Sequence, residues 1–211
     1  MLEQHGHGGD LQTASALYGM APDQFLDFSA NMNPLGPPEQ IVNLLAAHWK
    51  DIANYPDPIS RRLRGKLADH YGIPPESILI GNGAAELIEL VIRWKQPKQT
   101  ILARPCFVEY EQAIHKIGGT IQELTLSPET DFTVDHTEMM QALEKADAIF
   151  LGNPNNPTGM LLPPQFTEEL KQTANAHKSV MVDEAFLDFV EQEQDYTLIR
   201  QAAHTEGLFG I

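Results

Sequence analysis

Four short segments of the sequence carry residue types that could bind a ligand. They are 81-GNGAA-85, 105-PCF-107, 155-NNPTG-159 and 183-DEAF-186. Each comes shortly after an apolar run, at the point where a buried strand would end. The segments differ in the chemistry that they could support.

The first segment, Gly81–Ala85, has the pattern of a strand, a Gly-x-Gly turn and the start of a helix. Such a turn presents free backbone N–H groups and the positive end of a helix dipole, which suits a phosphate. It lacks the third glycine of a dinucleotide fingerprint and the Lys-Ser/Thr of a P-loop. From the motif alone, a tight turn without a ligand is an equally good interpretation.

Three side chains in the other segments have a functional and a structural interpretation. Asp183 follows the apolar run Val180–Val182, so its carboxylate needs a cationic ligand atom, an ion pair or a helix start to satisfy it. Asn156 can donate its NH₂ to an anionic oxygen, or it can stabilise an Asn/Pro turn. Phe107 can stack on a flat ligand, or it can pack in the core.

The elements around these segments predict an α/β fold, with a mostly parallel sheet and helices on both faces. Expected strands are Ser77–Ile80, Thr100–Ala103, Thr120–Leu126, Ala148–Leu151, Val180–Val182 and Leu208–Ile211. Expected helices are Glu39–Lys50, Ser60–Tyr71, Ala84–Lys95, Val108–Ile117, Asp135–Lys145 and Pro164–Lys178. Ligands of such sheets bind beyond the carboxyl ends of the strands, so the four segments are expected to form one site.

Composition disfavours several classes of function for this chain of 211 residues. Acidic residues number 29 against 14 basic ones, which disfavours nucleic-acid and anionic-membrane partners. No stretch approaches the ~18 apolar residues of a membrane span, and the N-terminus lacks the apolar core of a signal peptide. Cys106 is the single cysteine, which favours a reducing compartment, so we expect a cytoplasmic protein.

Taken in order, the four segments resemble those of the fold-type I pyridoxal-phosphate (PLP) enzymes of the aspartate-aminotransferase superfamily. The resemblance covers essentially the whole chain, and the pair of Asn-Pro-Thr-Gly and Asp-Glu-Ala-Phe is specific. It implies that Phe107 stacks on the pyridine ring of PLP and that Asn156 donates to the ring oxygen. Asp183 then pairs with the pyridinium nitrogen, which keeps the ring an effective electron sink.

The same resemblance assigns the remaining cofactor contacts and the domains. The cofactor phosphate would be bound by Gly83, Ala84 and Ala85. Tyr55 would reach the phosphate of the neighbouring subunit, which implies a homodimer. Residues 1–50 would form an N-terminal arm and part of a small domain, and residues 51–211 the PLP-binding large domain, incomplete at its C-terminal end.

Two groups of the superfamily remain open. The stretches 55-YPDP-58 and 183-DEA-185 resemble histidinol-phosphate aminotransferases. In contrast, 7-HGGD-10 and 27-DFSANMNPLGPP-38 resemble threonine-phosphate decarboxylases, as does Phe186 in place of a more usual Tyr. The second resemblance implies decarboxylation of L-threonine O-3-phosphate to aminopropanol phosphate in cobalamin biosynthesis.

The decarboxylase resemblance also implies a substrate site. His7, Gly8 and Gly9 would bind the substrate phosphate, and Asn31 would lie near its carboxylate. Asp10 departs from the more usual Asn and adds negative charge beside that site. Alternatively, the His-rich terminus is simply frayed; a metal site there is not expected, since two histidines rarely suffice.

None of the lysines matches the Schiff-base motif of the superfamily. They are Lys50, Lys66, Lys95, Lys98, Lys116, Lys145, Lys171 and Lys178. In the superfamily that lysine, and the arginines that bind substrate, lie beyond the last predicted strand. We therefore expect the chain to be the N-terminal part of a longer enzyme and inactive alone, or a fragment without catalysis.

Overall fold

The computed structural model describes residues 8–175 and 177–211. The chain divides into two compact units, the first reaching to Pro56 and the second running from Asp57 to Ile211. Across the described residues, no helix combines the length and the apolar character needed to cross a bilayer.

The first unit contains two α-helices, α1 (Leu11–Tyr18) and α2 (Glu39–His48). Short 3₁₀ turns follow each of them, at Pro22–Gln24 and Trp49–Ala53. Helix α2 begins directly after Pro38, which is the residue before its first helical position. None of the described residues of this unit is fully buried, and many of its large apolar side chains are exposed, among them Leu26, Phe28, Leu35 and Trp49.

The second unit is an α/β domain, which confirms the predicted fold class. Its strands are β1 (Gln99–Arg104), β2 (Thr120–Thr125), β3 (Ala148–Gly152), β4 (Ser179–Asp183) and β5 (Leu208–Gly210). Its helices are α3 (Arg61–Tyr71), α4 (Ala84–Lys95), α5 (Val108–Lys116), α6 (His136–Lys145), α7 (Pro164–Thr173) and α8 (Ile199–Ala202). The strands pair in parallel in the order β2-β1-β3-β4-β5.

Side-chain alternation along the strands produces a core on each face of the sheet. Ile149 and Leu151 of β3 lie in one core, which α6 and α7 cover. Phe150, between them in sequence, lies in the other core with residues of α4 and α5. Helices therefore cover both faces, as predicted for a parallel sheet.

Two predicted elements are wrong. Residues 77–80 form no strand: Pro75–Ser77 is a 3₁₀ turn, Leu79 is 66% exposed, and none of the described strands pairs with this segment. The helix predicted to reach Lys178 ends at Thr173, because Asn175 starts a turn there. Its side-chain Oδ1 accepts hydrogen bonds from the backbone N–H groups of His177 (2.9 Å) and Lys178 (3.2 Å).

Candidate functional site

The carboxyl edge of the sheet gathers three of the four predicted segments. β4 ends at Asp183, which lies in register with Gly152 at the end of β3. The segment with Asn156 follows β3, and the segment with Phe107 follows the end of β1 at Arg104. The parallel order of these neighbouring strands therefore brings the three candidate residues to one edge; that all four segments form one site stays a prediction.

Asp183 is a buried carboxylate that is held by two hydrogen bonds. The Tyr110 hydroxyl donates to Oδ2 at 2.7 Å, and the backbone N–H of Ala185 donates to Oδ1 at 3.0 Å. No described Lys, Arg or His side chain forms an ion pair with Asp183, although only 8% of the residue is exposed. Such a carboxylate suits a cationic ligand atom, because it is desolvated without a counter-charge.

Tyr110 is a site residue that the sequence analysis missed. Burial, and then the charge of Asp183, raise the pKa of the Tyr110 hydroxyl, so the hydroxyl stays protonated and donates. Its ring stacks on Phe150 with centroids 4.1 Å apart and meets Phe107 edge-on at 5.7 Å. Tyr110 thus links two predicted cofactor residues; its position three residues after Phe107, on the inner face of α5, was the available signal.

The loop after β3 is closed by its own backbone. The N–H of Asn155 donates to the Met160 carbonyl at 2.8 Å, and the N–H of Gly159 donates to the Asn155 carbonyl at 2.7 Å. The Asn155 amide also donates to the Pro105 carbonyl at 3.0 Å. In contrast, the side chain of Asn156 makes no hydrogen bond within the described part of the chain, so its NH₂ is available to a ligand.

The Gly81–Ala85 turn leads into α4 as predicted. Gly83 precedes the helix with φ +81°, a conformation that favours glycine, and no side chain caps the helix start. Ala84 packs against the core cluster that also holds Tyr110. The Glu86 carboxylate already accepts from the Asn82 N–H at 2.5 Å. The turn therefore retains unpaired donors at a helix N-terminus, beside one negative charge.

Two buried polar residues next to the site have a supporting role. Asn153 accepts from the Leu162 N–H at 2.9 Å and donates to the Tyr196 carbonyl at 3.3 Å. Glu184 accepts from the Thr197 hydroxyl at 2.6 Å and from the Leu198 N–H at 2.7 Å. Burial raises the pKa of Glu184 even though both hydrogen bonds lower it. These contacts hold residues 196–198 against the ends of β3 and β4.

The predicted substrate residues Gly8 and Gly9 pack on the segment that carries Asn31. The Gly9 N–H donates to the Ser29 hydroxyl at 2.8 Å, so within the described structure this donor is already used. A Cβ on Gly8 would lie 1.7 Å from the Ser29 carbonyl oxygen, so only glycine fits there. The two N-terminal motifs are therefore in contact, and close packing explains why Gly8 is a glycine.

Asp10 has a local structural role at the start of α1. Its carboxylate accepts from the Thr13 N–H at 2.9 Å and caps α1. Because Asn caps a helix equally well, the Asp at this position changes no contact of the cap.

The other predicted residues of the first unit are less constrained. Asn31 and Tyr55 are exposed, and Tyr55 is fully so. His7 lies outside the described residues. The substrate candidates and Tyr55 belong to the first unit, whereas the remaining cofactor candidates belong to the second.

The residues at the sheet edge fit PLP by their chemistry. Phe107 and Tyr110 supply aromatic surface. Among the described residues, the buried Asp183 has no cationic partner, the Asn156 amide has no hydrogen-bond partner, and no side chain caps α4. Together these features suit a flat ring with a protonated nitrogen, an anionic ring oxygen and a phosphate.

Comparison with known proteins gives the same family. The model of the class I and II aminotransferases matches residues 23–207. A putative threonine-phosphate decarboxylase from Caldanaerobacter subterraneus subsp. tengcongensis is 37% identical over 183 residues, 86% of this chain and 49% of the relative. The adenosylcobalamin biosynthesis bifunctional protein CobDQ from Leptospira interrogans is 40% identical over 195 residues, 90% of this chain and 22% of the relative.

Among solved structures, the histidinol-phosphate aminotransferase from Clostridium acetobutylicum superposes with a TM-score of 0.75 at 28% identity. The match covers 88% of this chain and 54% of that one. The chain spans about half the length of the first relative and of this structure. It belongs to the class I and II aminotransferase family, whose cofactor is the PLP that the sequence motifs imply.

Proposed function

We propose that the complete enzyme, of which this chain carries the PLP-binding part, decarboxylates L-threonine O-3-phosphate to aminopropanol phosphate in cobalamin biosynthesis. The observation that carries the proposal is the buried carboxylate of Asp183, which Tyr110 holds and which no cation of the described part of the chain pairs with. The choice of reaction is supported by relatives named for threonine-phosphate decarboxylation and adenosylcobalamin biosynthesis.

Each residue of the sheet edge would bind a different group of PLP. Asp183 would hold a proton on the ring nitrogen, and its bond from Tyr110 would fix the orientation of the carboxylate. Phe107 would contact the ring face, and Asn156 would donate to the ring oxygen. Gly83, Ala84 and Ala85 would donate backbone N–H groups to the phosphate.

When bound, PLP supplies an electron-withdrawing ring that accepts the electron pair released as the Cα–carboxylate bond breaks. The chain's own contribution is electrostatic, because a carboxylate preorganised at the ring nitrogen stabilises charge developing there. Carbon dioxide then leaves, and a proton replaces it at Cα. The reaction therefore balances without an oxidant, a reductant or a keto-acid acceptor.

On the substrate side, the proposal assigns the N-terminal motifs. Gly8 and Gly9 pack against Ser29, which supports a single substrate segment formed by both motifs. His7 and Asn31 would complete this segment, with His7 near the phosphate and Asn31 near the carboxylate. Since the Gly9 N–H already binds Ser29, we assign phosphate binding mainly to His7 and Gly8.

We further propose that the complete enzyme is a cytoplasmic homodimer. The first unit leaves large apolar side chains exposed, which supports an interface with a second copy. Tyr55 is fully exposed and would reach the phosphate bound by the neighbouring subunit. A single cysteine supports a reducing compartment.

A second candidate is amino transfer from histidinol phosphate. It is supported by the likeness to the Clostridium structure and by the stretch 55-YPDP-58. Both reactions use the same cofactor contacts, so only the substrate can separate them.

The test uses the complete enzyme loaded with PLP. We expect CO₂ from L-threonine O-3-phosphate without any keto acid, and little glutamate from histidinol phosphate with 2-oxoglutarate. The substitution Asp183→Ala should lower CO₂ release by about 10²–10³-fold, which ties the activity to this site. Efficient glutamate formation with no CO₂ would replace the decarboxylase by the aminotransferase.

A further inference from the structure

The amide of Asn155 joins two loops of the proposed cofactor site. Its Nδ2 donates to the Pro105 carbonyl at 3.0 Å and to the Thr158 hydroxyl at 2.9 Å. The first bond crosses between the loop after β1 and the loop after β3, and the second stays within its own loop. We propose that Asn155 is a positioning residue that fixes the loop carrying Phe107 relative to the loop carrying Asn156. This inference rests on the proposed function, since its consequence is cofactor geometry.

Asn155 is itself rigidly placed. Backbone hydrogen bonds to Met160 and from Gly159 close the loop on either side of its amide. A Cβ on Gly152 would lie only 3.0 Å from the Asn155 Cα, so the loop packs directly on the end of β3. The direction of the side-chain amide therefore follows from the sheet.

The bond to Pro105 acts on a short segment. Pro105 is two residues before Phe107, and Phe107 immediately precedes the first turn of α5. On the other side, Asn156 follows Asn155 directly. One hydrogen bond thus spans the gap between the proposed ring-stacking residue and the proposed donor to the ring oxygen, where small displacements change how well a bound ring is held.

The chemistry of this bond requires a donor at residue 155. A carbonyl oxygen only accepts, so the isosteric change Asn155→Asp would place a carboxylate oxygen against the Pro105 carbonyl. Thr158→Val provides the matched control, because it removes the partner of the other amide hydrogen and leaves the bond between the loops intact.

The first measurement is binding of pyridoxamine 5′-phosphate to the full chain, since this probe needs no lysine. We expect Asn155→Asp to weaken binding by about tenfold and to change the circular dichroism of the bound probe. Thr158→Val should change the dissociation constant by less than about twofold and leave that signal unaltered. Equal effects of the two substitutions would overturn the inference.

A second measurement does not depend on the cofactor. With 4-fluorophenylalanine incorporated, the fluorine resonance of Phe107 is assigned through Phe107→Leu and followed without ligand. Asn155→Asp and Asn155→Ala should shift or broaden it, whereas Thr158→Val should not. An unchanged Phe107 resonance in both Asn155 variants would refute the positioning role. Failure of the unaltered chain to bind the probe would instead count against the proposed function.

Discussion

At the scale of single residues, the pair of Tyr110 and Asp183 determines how the site handles charge. A buried carboxylate normally needs several donors or a cation, and this one has a hydroxyl and one backbone N–H within the described structure. Because the Tyr110 pKa is raised, the hydroxyl keeps its proton in the working pH range and cannot add a second negative charge. The two donors fix the orientation of the Asp183 carboxyl group, which leaves it placed to meet a cationic ligand atom.

The substitution Tyr110→Phe tests this pair, because the phenyl ring keeps the packing on Phe150 and removes only the donor. A hydrogen bond to a charged group contributes about 1.5–3 kcal/mol, so we expect the free energy of unfolding at pH 7 to fall by about 2 kcal/mol. Urea denaturation of the full chain measures this change. Tyr18→Phe is the control, since that side chain is 72% exposed. Equal effects of the two changes would contradict the role of Tyr110.

At the scale of elements, the ends of β3 and β4 support the segment before α8. Glu184 binds this segment through both of its carboxylate oxygens, and Asn153 binds it through its Nδ2, which donates to the Tyr196 carbonyl. Burial raises the pKa of Glu184 above its usual value near 4.5, so the folded state binds this proton more tightly than the unfolded state. Stability contributed by protonated Glu184 is therefore present at low pH and is lost as pH rises through the folded pKa.

Glu184→Gln should remove this pH dependence while keeping both hydrogen bonds, because the amide can accept from Leu198 and donate to Thr197. We expect the variant to gain stability over the unaltered chain as pH rises from about 4.5 upward, by at most about 1.4 kcal/mol per pH unit, and then to level off. Urea denaturation across pH 4–8 measures the difference. The exposed Glu191→Gln is the control. A difference that shrinks with rising pH would mean that folding lowers the pKa of Glu184, which would contradict this prediction.

The hydrophobic pattern of the sequence predicted the helices and strands that pack into the core. The continuous apolar run before Asp183 and the amphipathic pattern of Ala84–Lys95 each specify one environment, so β4 and α4 form as predicted. The strand predicted at Ser77–Ile80 is wrong, because a strand also needs a neighbouring strand to pair with and the local pattern does not reveal one. Tyr110 and Asn155 could not be predicted as partners of Asp183 and Pro105, because these bonds join residues far apart in the chain.

At the scale of the whole molecule, the first unit has a surface that its own residues do not cover. On α2, Val42 and Leu45 lie on one side of the helix, and Trp49 continues that stripe into the 3₁₀ turn. They are 53%, 66% and 61% exposed. Contiguous apolar surface of this kind marks an interaction site, and in the proposed homodimer a second copy covers it. The chain's net charge of -15 would oppose such an association, so apolar burial has to provide the stabilisation.

Leu45→Glu in the complete enzyme tests this proposal, because it introduces a charge in the middle of the stripe. Burying an unpaired carboxylate at an interface is strongly unfavourable, so we expect the dimer dissociation constant to rise by at least about tenfold. Gln40→Glu is the matched control: it adds the same charge to the same helix on the side away from Val42. Sedimentation velocity over a range of concentrations should show a weakened dimer for the first variant and an unaltered one for the second. If Leu45→Glu associates as tightly as the unaltered enzyme, the stripe lies outside the dimer interface. If the unaltered enzyme is a monomer at every concentration, the homodimer itself is wrong, and Tyr55 cannot serve a neighbouring subunit.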